Sequence, residues 1–436
     1  MDTWILNKIG YDLNDNLDKD SLRKTLDKYQ LRKLKENLSY VKGNSTFYKN
    51  HLKDISVKDI NSFKDFETVP FTSAKNLRDG ALRFLCVSQS EISRIVSLNT
   101  SGTSGTPKRI YFTEQDQELT IDFFHKGMRC IVKKGDKVLI LLPGRASGSV
   151  GDLLCSGLER DSVCCFKFGP IKDTNDVAKL IEKEKINCII GIPIQVLALK
   201  REKVDIFNKY VTRVLLSTDY VPQTLINEIS SDKCKVFTHY GMTEMGLGGG
   251  VECQALDGYH MREADLYFEV INPKTQKKVD DGEYGEIVFT TLTRVGMPLI
   301  RYRCGDIGRF ISTPCLCGSM LKTMERVSGR IANSVELFDN KYLYMKDLDE
   351  VLLRRKEISN YEVSLEKHEF YSIVINLKIT KEDFEKLKNN IYNDLCQIPN
   401  IGEGVKKGVI RLVLQIASDG IYTGNGTFKR IIKDLR

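Results

Sequence analysis

Residues 97–109 read Ser-Leu-Asn-Thr-Ser-Gly-Thr-Ser-Gly-Thr-Pro-Lys-Arg. Gly102 and Gly105 let the main chain approach a ligand with no Cβ in the way. Thr100, Ser101, Thr103, Ser104 and Thr106 crowd hydroxyl donors into the same span, and Lys108 and Arg109 add positive charge. Successive N–H groups in such a loop form a concavity suited to a polyphosphate. The spacing is not Gly-x-x-x-x-Gly-Lys-Ser/Thr, so an ordinary P-loop NTPase is not implied. The same composition also makes a plain flexible turn.

Three further stretches carry groups of the right kind. In Thr238-His-Tyr240-Gly241-Met-Thr243-Glu244 a carboxylate follows a strand-like run, the ligand-facing edge of a parallel sheet. Beside a phosphate loop Glu244 suits Mg²⁺, and Tyr240 could stack on a base. Arg301-Tyr-Arg-Cys-Gly-Asp306 puts a carboxylate on a Gly-Asp turn, where it can grip vicinal ribose hydroxyls. Arg330, in Ser-Gly-Arg, is a candidate phosphate-binding cation. Read singly, these are also an exposed Glu, a surface turn and a solvated arginine. Separately, Cys253, His260, Cys315 and Cys317 sit on glycine-containing loops in a chain with 12 cysteines and 5 histidines. Three thiolates and one imidazole match a tetrahedral structural zinc site, although neither spacing is that of a standard finger.

The elements that must position these groups follow a readable rhythm. The first ninety residues look helical and charged, with apolar positions at helical spacing over Ser21 to Leu38. Pro70-Phe71 marks a loop, and Ser73 is a candidate helix cap. From 137 onward strand-like runs (Val138 to Leu142, Cys188 to Ile192, Val211 to Ser217, Val236 to Tyr240) alternate with helical ones (Asp176 to Glu184, Gln195 to Lys200, Gln223 to Ile229). That alternation predicts a parallel, doubly wound sheet. After about 250, Leu266 to Ile271 and Gly285 to Thr291 look like antiparallel strands. Beyond Gly329-Arg330, strands at Glu362 to Leu365, Ser372 to Ile379 and Val409 to Gln415 surround a helix over Lys381 to Leu395. The fold class is therefore α/β: a large doubly wound N-terminal domain with an antiparallel β subdomain, 1–330, plus a small mobile α+β C-terminal domain, 331–436.

The totals agree with a soluble globular protein: 436 residues, 41% hydrophobic and 28% charged. Roughly two to four structural units are expected at that length. Lys plus Arg exceeds Asp plus Glu by 66 − 58, or +8. The charge is scattered and there is no aromatic–basic platform, which argues against nucleic acid. No apolar run approaches the roughly 20 residues of a membrane span. The first residues carry no basic leader or long apolar stretch. Twelve cysteines then read as reduced thiols, Cys130, Cys155, Cys188 and Cys234 among them as buried ones. The expected compartment is the cytoplasm.

Taken together, the phosphate loop, Tyr-Gly-x-Thr-Glu, Tyr-x-x-Gly-Asp and Gly-Arg, in that order, resemble the adenylate-forming superfamily. The finer resemblance, from about residue 45 to the C-terminus, is to its phenylacetate–coenzyme A ligase branch. Phe47-Tyr48, the stretch Phe66 to Arg83, Ser217-Thr218-Asp219-Tyr220-Val221-Pro222 and Gly426-Thr427-Phe428-Lys429-Arg430-Ile431-Ile432 carry it. The resemblance implies that Thr100 to Lys108 bind the β- and γ-phosphates, Glu244 holds Mg²⁺ and Asp306 the ribose. Arg330 would meet the ribose and phosphate region. Tyr240, with its neighbours Gly241 and Thr243, and Ser217, Thr218 and Asp219 would border the nucleotide and acyl pocket. The small domain would rotate after Arg330 between adenylating and thiol-accepting arrangements. Some members of the branch carry a metal cluster of the Cys/His type described above, pinning loops without a catalytic part.

Two positions depart from the pattern. Ile331-Ala332-Asn333 stand where relatives have an acidic hinge, and Gly426-Thr427 where many place the adenylation lysine straight after a glycine. Lys429 takes that catalytic role with a small slip of register, or the role is absent. The resemblance implies ATP-dependent activation of a carboxylic acid, aromatic or otherwise compact, to an acyl-adenylate. Transfer to coenzyme A then gives a thioester, AMP and pyrophosphate. The partners are a small acid and a nucleotide, with no membrane and no nucleic acid, and a homodimer is left open. Small residues from Leu142 to Asp152, with Arg145, would border the acyl pocket. The alternatives are a carrier-protein thiol as acceptor, or a catalytically impaired nucleotide-binding homologue.

Overall fold

The computed structural model describes residues 1–11, 18–98, 107–327, 329–330, 334–367, 370–417 and 430–436. Of the expected site residues, Thr100, Ser101, Gly102, Thr103, Ser104, Gly105, Thr106 and Lys429 lie outside the described residues. The architecture is mixed α/β, with a large sheet-containing N-terminal part and a smaller C-terminal α+β part. The chain divides into two compact units: Met1–Gly135 with Pro143–Lys167 and Phe237–Val327, and Asp136–Leu142 with Phe168–Val236 and Ser328–Arg436.

In the first unit the expected N-terminal helix runs over Lys19–Asn44, opened by Asp18, whose side chain accepts from the Ser21 N–H. Its buried positions Leu26, Tyr29, Leu34, Leu38 and Val41 recur at helical period and form one apolar face. Two polar residues share that face with their amide donors satisfied: Gln30 donates to the Glu263 carbonyl at 2.7 Å and Asn37 to that of Thr291. Ser73 caps the helix Ala74–Gly80 in a reciprocal box with Asn76. The strands Ile92–Leu98 and Lys108–Thr113 pair antiparallel, Leu98 opposite Lys108. Thr113 then caps the helix Glu114–Met128 through Asp116. The strands Leu266–Ile271, Gly285–Thr291 and Tyr302–Gly308 make successive antiparallel pairs. The core holds Leu34, Phe84, Phe112, Tyr240, Phe289 and Tyr302, all nearly inaccessible. Each such side chain contributes roughly 1.5–3 kcal/mol of burial free energy.

In the second unit the strand Cys188–Gly191 pairs in parallel with Lys137–Ile140 on one side and Arg213–Leu216 on the other. Helices Thr174–Glu184, Pro193–Glu202 and Gln223–Ile229 alternate with them. This is the parallel arrangement that the strand–helix rhythm predicts. Downstream, Asn360–Lys367 pairs antiparallel with Tyr371–Lys378, which is joined in parallel by Ile410–Ile416. Glu350, on the helix Met345–Leu352, accepts from the main-chain N–H groups of Gln223 and Thr224 at 2.7 and 3.1 Å. It thereby satisfies open donors of the helix Gln223–Ile229.

One expectation needs correction. Cys155 and Cys165 form a disulfide instead of standing as reduced thiols. The helix Val150–Glu159 turns straight into the strand Cys164–Lys167, which brings the two Cα atoms to 5.9 Å, inside bridging range. In the segment Leu142 to Asp152, the last three residues, Val150, Gly151 and Asp152, begin that helix. Asp152 holds the turn before it, accepting from the Gly148 N–H at 3.0 Å and from Lys167 at 2.9 Å. Gly148 has φ +69°, a conformation that favours glycine.

Candidate active site

The strand Lys235–Tyr240 ends at Tyr240, and Gly241 must be glycine. A Cβ at Gly241 would lie 2.4 Å from the Leu247 carbonyl oxygen and 2.8 Å from His239. This close turn leads into a single helical turn, Thr243–Met245, which carries Glu244. Arg294 holds that turn from behind: its Nη1 donates to the Glu244 carbonyl at 2.9 Å while its guanidinium lies 4.8 Å from the Phe112 ring centroid. Burial pulls Arg294 down to about 10, against Asp116 and Glu244, which favour its charge. It remains a cation at neutral pH.

The Glu244 carboxylate is 2% exposed and pairs with the Lys108 ammonium. The Tyr302 hydroxyl bridges the two, donating to Glu244 Oε1 at 3.2 Å and accepting from Lys108 Nζ at 3.3 Å. A few residues on, the Tyr240 hydroxyl donates to Asp306 Oδ2 at 3.0 Å. Burial, then the Asp306 carboxylate, holds that hydroxyl protonated far above the usual phenol range. The Tyr240 ring is buried, its centroid 5.9 Å from that of Tyr259 at 27°. Asp306 is aimed by an irregularity in its strand. Arg303 pairs with Val288 and Ile307 with Glu286, so the partner strand advances two residues while this one advances four. Gly305 takes φ +77° within that bulge, the kind that re-aims a side chain. Arg301 fixes the start of the strand, with its buried guanidinium on Glu269 at 2.9 and 3.0 Å and on the Val69 carbonyl at 2.7 Å.

Within one unit, Lys108, Glu244 and Tyr302 form one hydrogen-bonded group, and Tyr240 and Asp306 form a second. Thr243 and Gly241 are in the same turn. Tyr302 and Arg294 were not singled out as site residues from the sequence. In the sequence Tyr302 stands out only as part of a motif, and Arg294 lies in Thr-Leu-Thr-Arg, which has no distinctive spacing.

Ser217, Thr218, Asp219 and Arg330 belong to the second unit. Ser217 donates its N–H to the Gly191 carbonyl at 3.1 Å. Thr218 has φ +80°, a backbone outlier for a β-branched residue and of the kind found at ligand sites. Asp219 faces Arg430 at 3.4 Å. Arg430 is also bidentate on Asp349, whose Oδ1 accepts from the Tyr361 hydroxyl. Burial opposes the Arg430 charge, but Asp349 and Asp219 outweigh it and hold the guanidinium above its ordinary range.

The sulfur and imidazole groups meet as the sequence expects. One ligand atom from each of Cys253, His260, Cys315 and Cys317 lies within 4.8 Å of every other. Cys253 Sγ is 3.6 Å from Cys315 Sγ, and Cys317 Sγ 3.2 Å from His260 Nε2. The pairing of Val251 with His260 brings the first two together. Gly318, φ +83°, closes the loop that carries the other two. Burial keeps His260 neutral.

The profile of the AMP-binding enzyme family matches residues 49–293. The chain belongs to this family. Within the adenylate-forming superfamily this AMP-binding enzyme falls in the phenylacetate–coenzyme A ligase-like branch. It is 25% identical over 362 residues to the phenylacetate-coenzyme A ligase of Pseudomonas putida, covering 79% of each chain. To the Thermus thermophilus enzyme of the same description it is 26% identical over 380 residues, covering 83% of this chain and 81% of that one. Among solved structures it is similar to a 2-hydroxyisobutyryl-CoA ligase in the postadenylation state with an acyl-AMP. There the TM-score is 0.77 at 20% identity, over 94% of this chain and 90% of that one. No helix among the described residues is long and apolar enough to cross a membrane.

Proposed function

We propose that this AMP-binding enzyme joins a carboxylic acid to coenzyme A through an acyl-adenylate, releasing pyrophosphate and AMP. The observations that carry the reading are two hydrogen-bonded groups in one unit of an AMP-binding enzyme, Lys108 with Glu244 and Tyr302, and Tyr240 with Asp306, each drawn from separate stretches of the chain. In the first step the acid's carboxylate oxygen attacks the α-phosphorus of ATP. The bond to the β-phosphate oxygen breaks, and its electron pair leaves with pyrophosphate. Such a transfer needs positioning and neutralisation of charge more than covalent help. Lys108 and the Thr100–Thr106 loop would hold the β- and γ-phosphates, Asp306 the ribose hydroxyls, and Ser217 to Asp219 the adenine side. Arg330 would lie along the ribose and phosphate, and Lys429 would meet the developing charge at the α-phosphate. In the second step the coenzyme A thiolate attacks the acyl carbon and AMP departs. The acid is aromatic or compact.

Mg²⁺ fits the chemistry of the donors present: a buried carboxylate with a phenol oxygen beside it, to be completed by phosphate oxygens and water. Held by Glu244, the ion would screen the triphosphate and ease departure of pyrophosphate. Zn²⁺ fits Cys253, His260, Cys315 and Cys317 as a structural site. Tetrahedral ligands of this kind stand about 3.5–3.8 Å apart, close to the 3.6 and 3.2 Å separations found. Ten of the twelve cysteines are free, which suits a reducing compartment such as the cytoplasm despite the Cys155–Cys165 disulfide. Residues 331–436 would act as the lid domain, turning after Arg330, with the ion pair of Arg430 to Asp219 setting one of its positions.

The test is product analysis. Incubation with ATP, Mg²⁺, coenzyme A and a panel of aryl and short aliphatic acids should give AMP and one acyl-CoA mass. Bound ATP with no AMP or thioester from any acid would overturn the reading.

A further inference from the structure

The pairing of Lys108 with Glu244 bears on how the divalent ion reaches the site. Glu244 is 2% exposed and Lys108 16%, and Tyr302 bonds to both. A carboxylate this buried needs a counter-charge to stay ionised. Lys108 supplies it where no nucleotide is bound. A lone divalent ion added to the intact pair would leave two uncompensated positive charges in a buried place. A triphosphate changes the balance, because its oxygens offer the ammonium a stronger partner and release the carboxylate to the metal.

We propose that Lys108 is a placeholder cation: it occupies Glu244 in the nucleotide-free enzyme, so the divalent ion binds there only with the triphosphate. This inference rests on the proposed roles of Glu244 and Lys108. It adds an order of binding that those roles do not contain. Arg294 also attracts the Glu244 charge, but its hydrogen bond goes to the main-chain carbonyl, so Lys108 is the cation paired with the carboxylate itself.

The experiment uses Mn²⁺ as the probe, followed by electron paramagnetic resonance of the free ion, on the full chain without nucleotide. Binding at Glu244 is the difference between wild type and Glu244→Gln, which cancels any Mn²⁺ held elsewhere. Wild type should show no such difference alone or with AMP, and a clear one with tripolyphosphate. Lys108→Met should bind Mn²⁺ without any phosphate at least about tenfold more tightly than wild type, and the double variant with Glu244→Gln should lose that binding. Glu244-dependent Mn²⁺ binding by phosphate-free wild type, as tight as that of Lys108→Met, overturns the proposal. If Lys108→Met does not fold, the wild-type pair decides alone: a Glu244-dependent difference without phosphate refutes, and one that tripolyphosphate switches on supports. Acid-dependent AMP formation, measured on the same wild-type sample, separates the two readings. Activity together with phosphate-free Mn²⁺ at Glu244 defeats only the placeholder, whereas the expected Mn²⁺ pattern without activity defeats only the reaction.

Discussion

Tyr302→Phe removes one oxygen and leaves the ring. That oxygen donates to Glu244 Oε1 at 3.2 Å and accepts from Lys108 Nζ at 3.3 Å, and the residue is 1% exposed. The ring, packed against Phe289 at 5.4 Å between centroids, keeps its contacts. The change therefore falls on the aim of two charged groups more than on the core. A hydrogen bond to a charged partner contributes about 1.5–3 kcal/mol. If Glu244 and Lys108 act on the triphosphate in the transition state, kcat/KM for the magnesium nucleotide should fall by about 10- to 150-fold. The KM for the acid should change far less. The assay is initial-rate AMP formation with each substrate varied, on a variant whose circular dichroism matches wild type. A folded Tyr302→Phe enzyme within about twofold of wild type would remove Tyr302 from the site and weaken the case for its two partners.

Other outcomes follow from the same geometry. Cys315→Ser should lower bound zinc well below one per chain and lower the melting temperature; elemental analysis that finds full stoichiometric zinc would discard the ligand set. Arg430→Met leaves Asp349 buried without its bidentate partner and should cost about 3–5 kcal/mol in urea unfolding. Adding Asp349→Leu should recover part of that, and a loss below about 1 kcal/mol for the single variant would contradict it. His239 is held down to about 4 by burial, from an ordinary 6.5. The unfolded chain therefore binds the extra proton first as pH falls, and stability declines from about pH 6.5 to about 4, on the order of 3 kcal/mol in all. His239→Gln should flatten that limb in a series of unfolding curves; an unchanged slope would refute it.

Elements with strong local signals were legible in the sequence. The helix beginning at Lys19 shows its face in the spacing of Leu26, Leu34, Leu38 and Val41. Ser73 announces a cap that the structure completes with Asn76. The Cys/His cluster was legible because histidine is scarce in this chain. What stayed hidden depends on distant partners. Asp306 reads as a turn residue, whereas a bulge around Gly305 inside a strand aims it, and bulges follow from pairing register rather than from local composition. Arg294 and the bridging role of Tyr302 exist only once the strand Tyr302–Gly308 and the turn Thr243–Met245 meet. The cysteines at 155 and 165 read as separate thiols until a helix end and the next strand bring them together.

The most direct measurement is exchange of labelled pyrophosphate into ATP, with and without acid, for wild type and Glu244→Gln. The account predicts exchange in wild type that appears only with a cognate acid and is largely lost in the variant. Exchange that ignores the acid, or its absence with every acid tried, would contradict it.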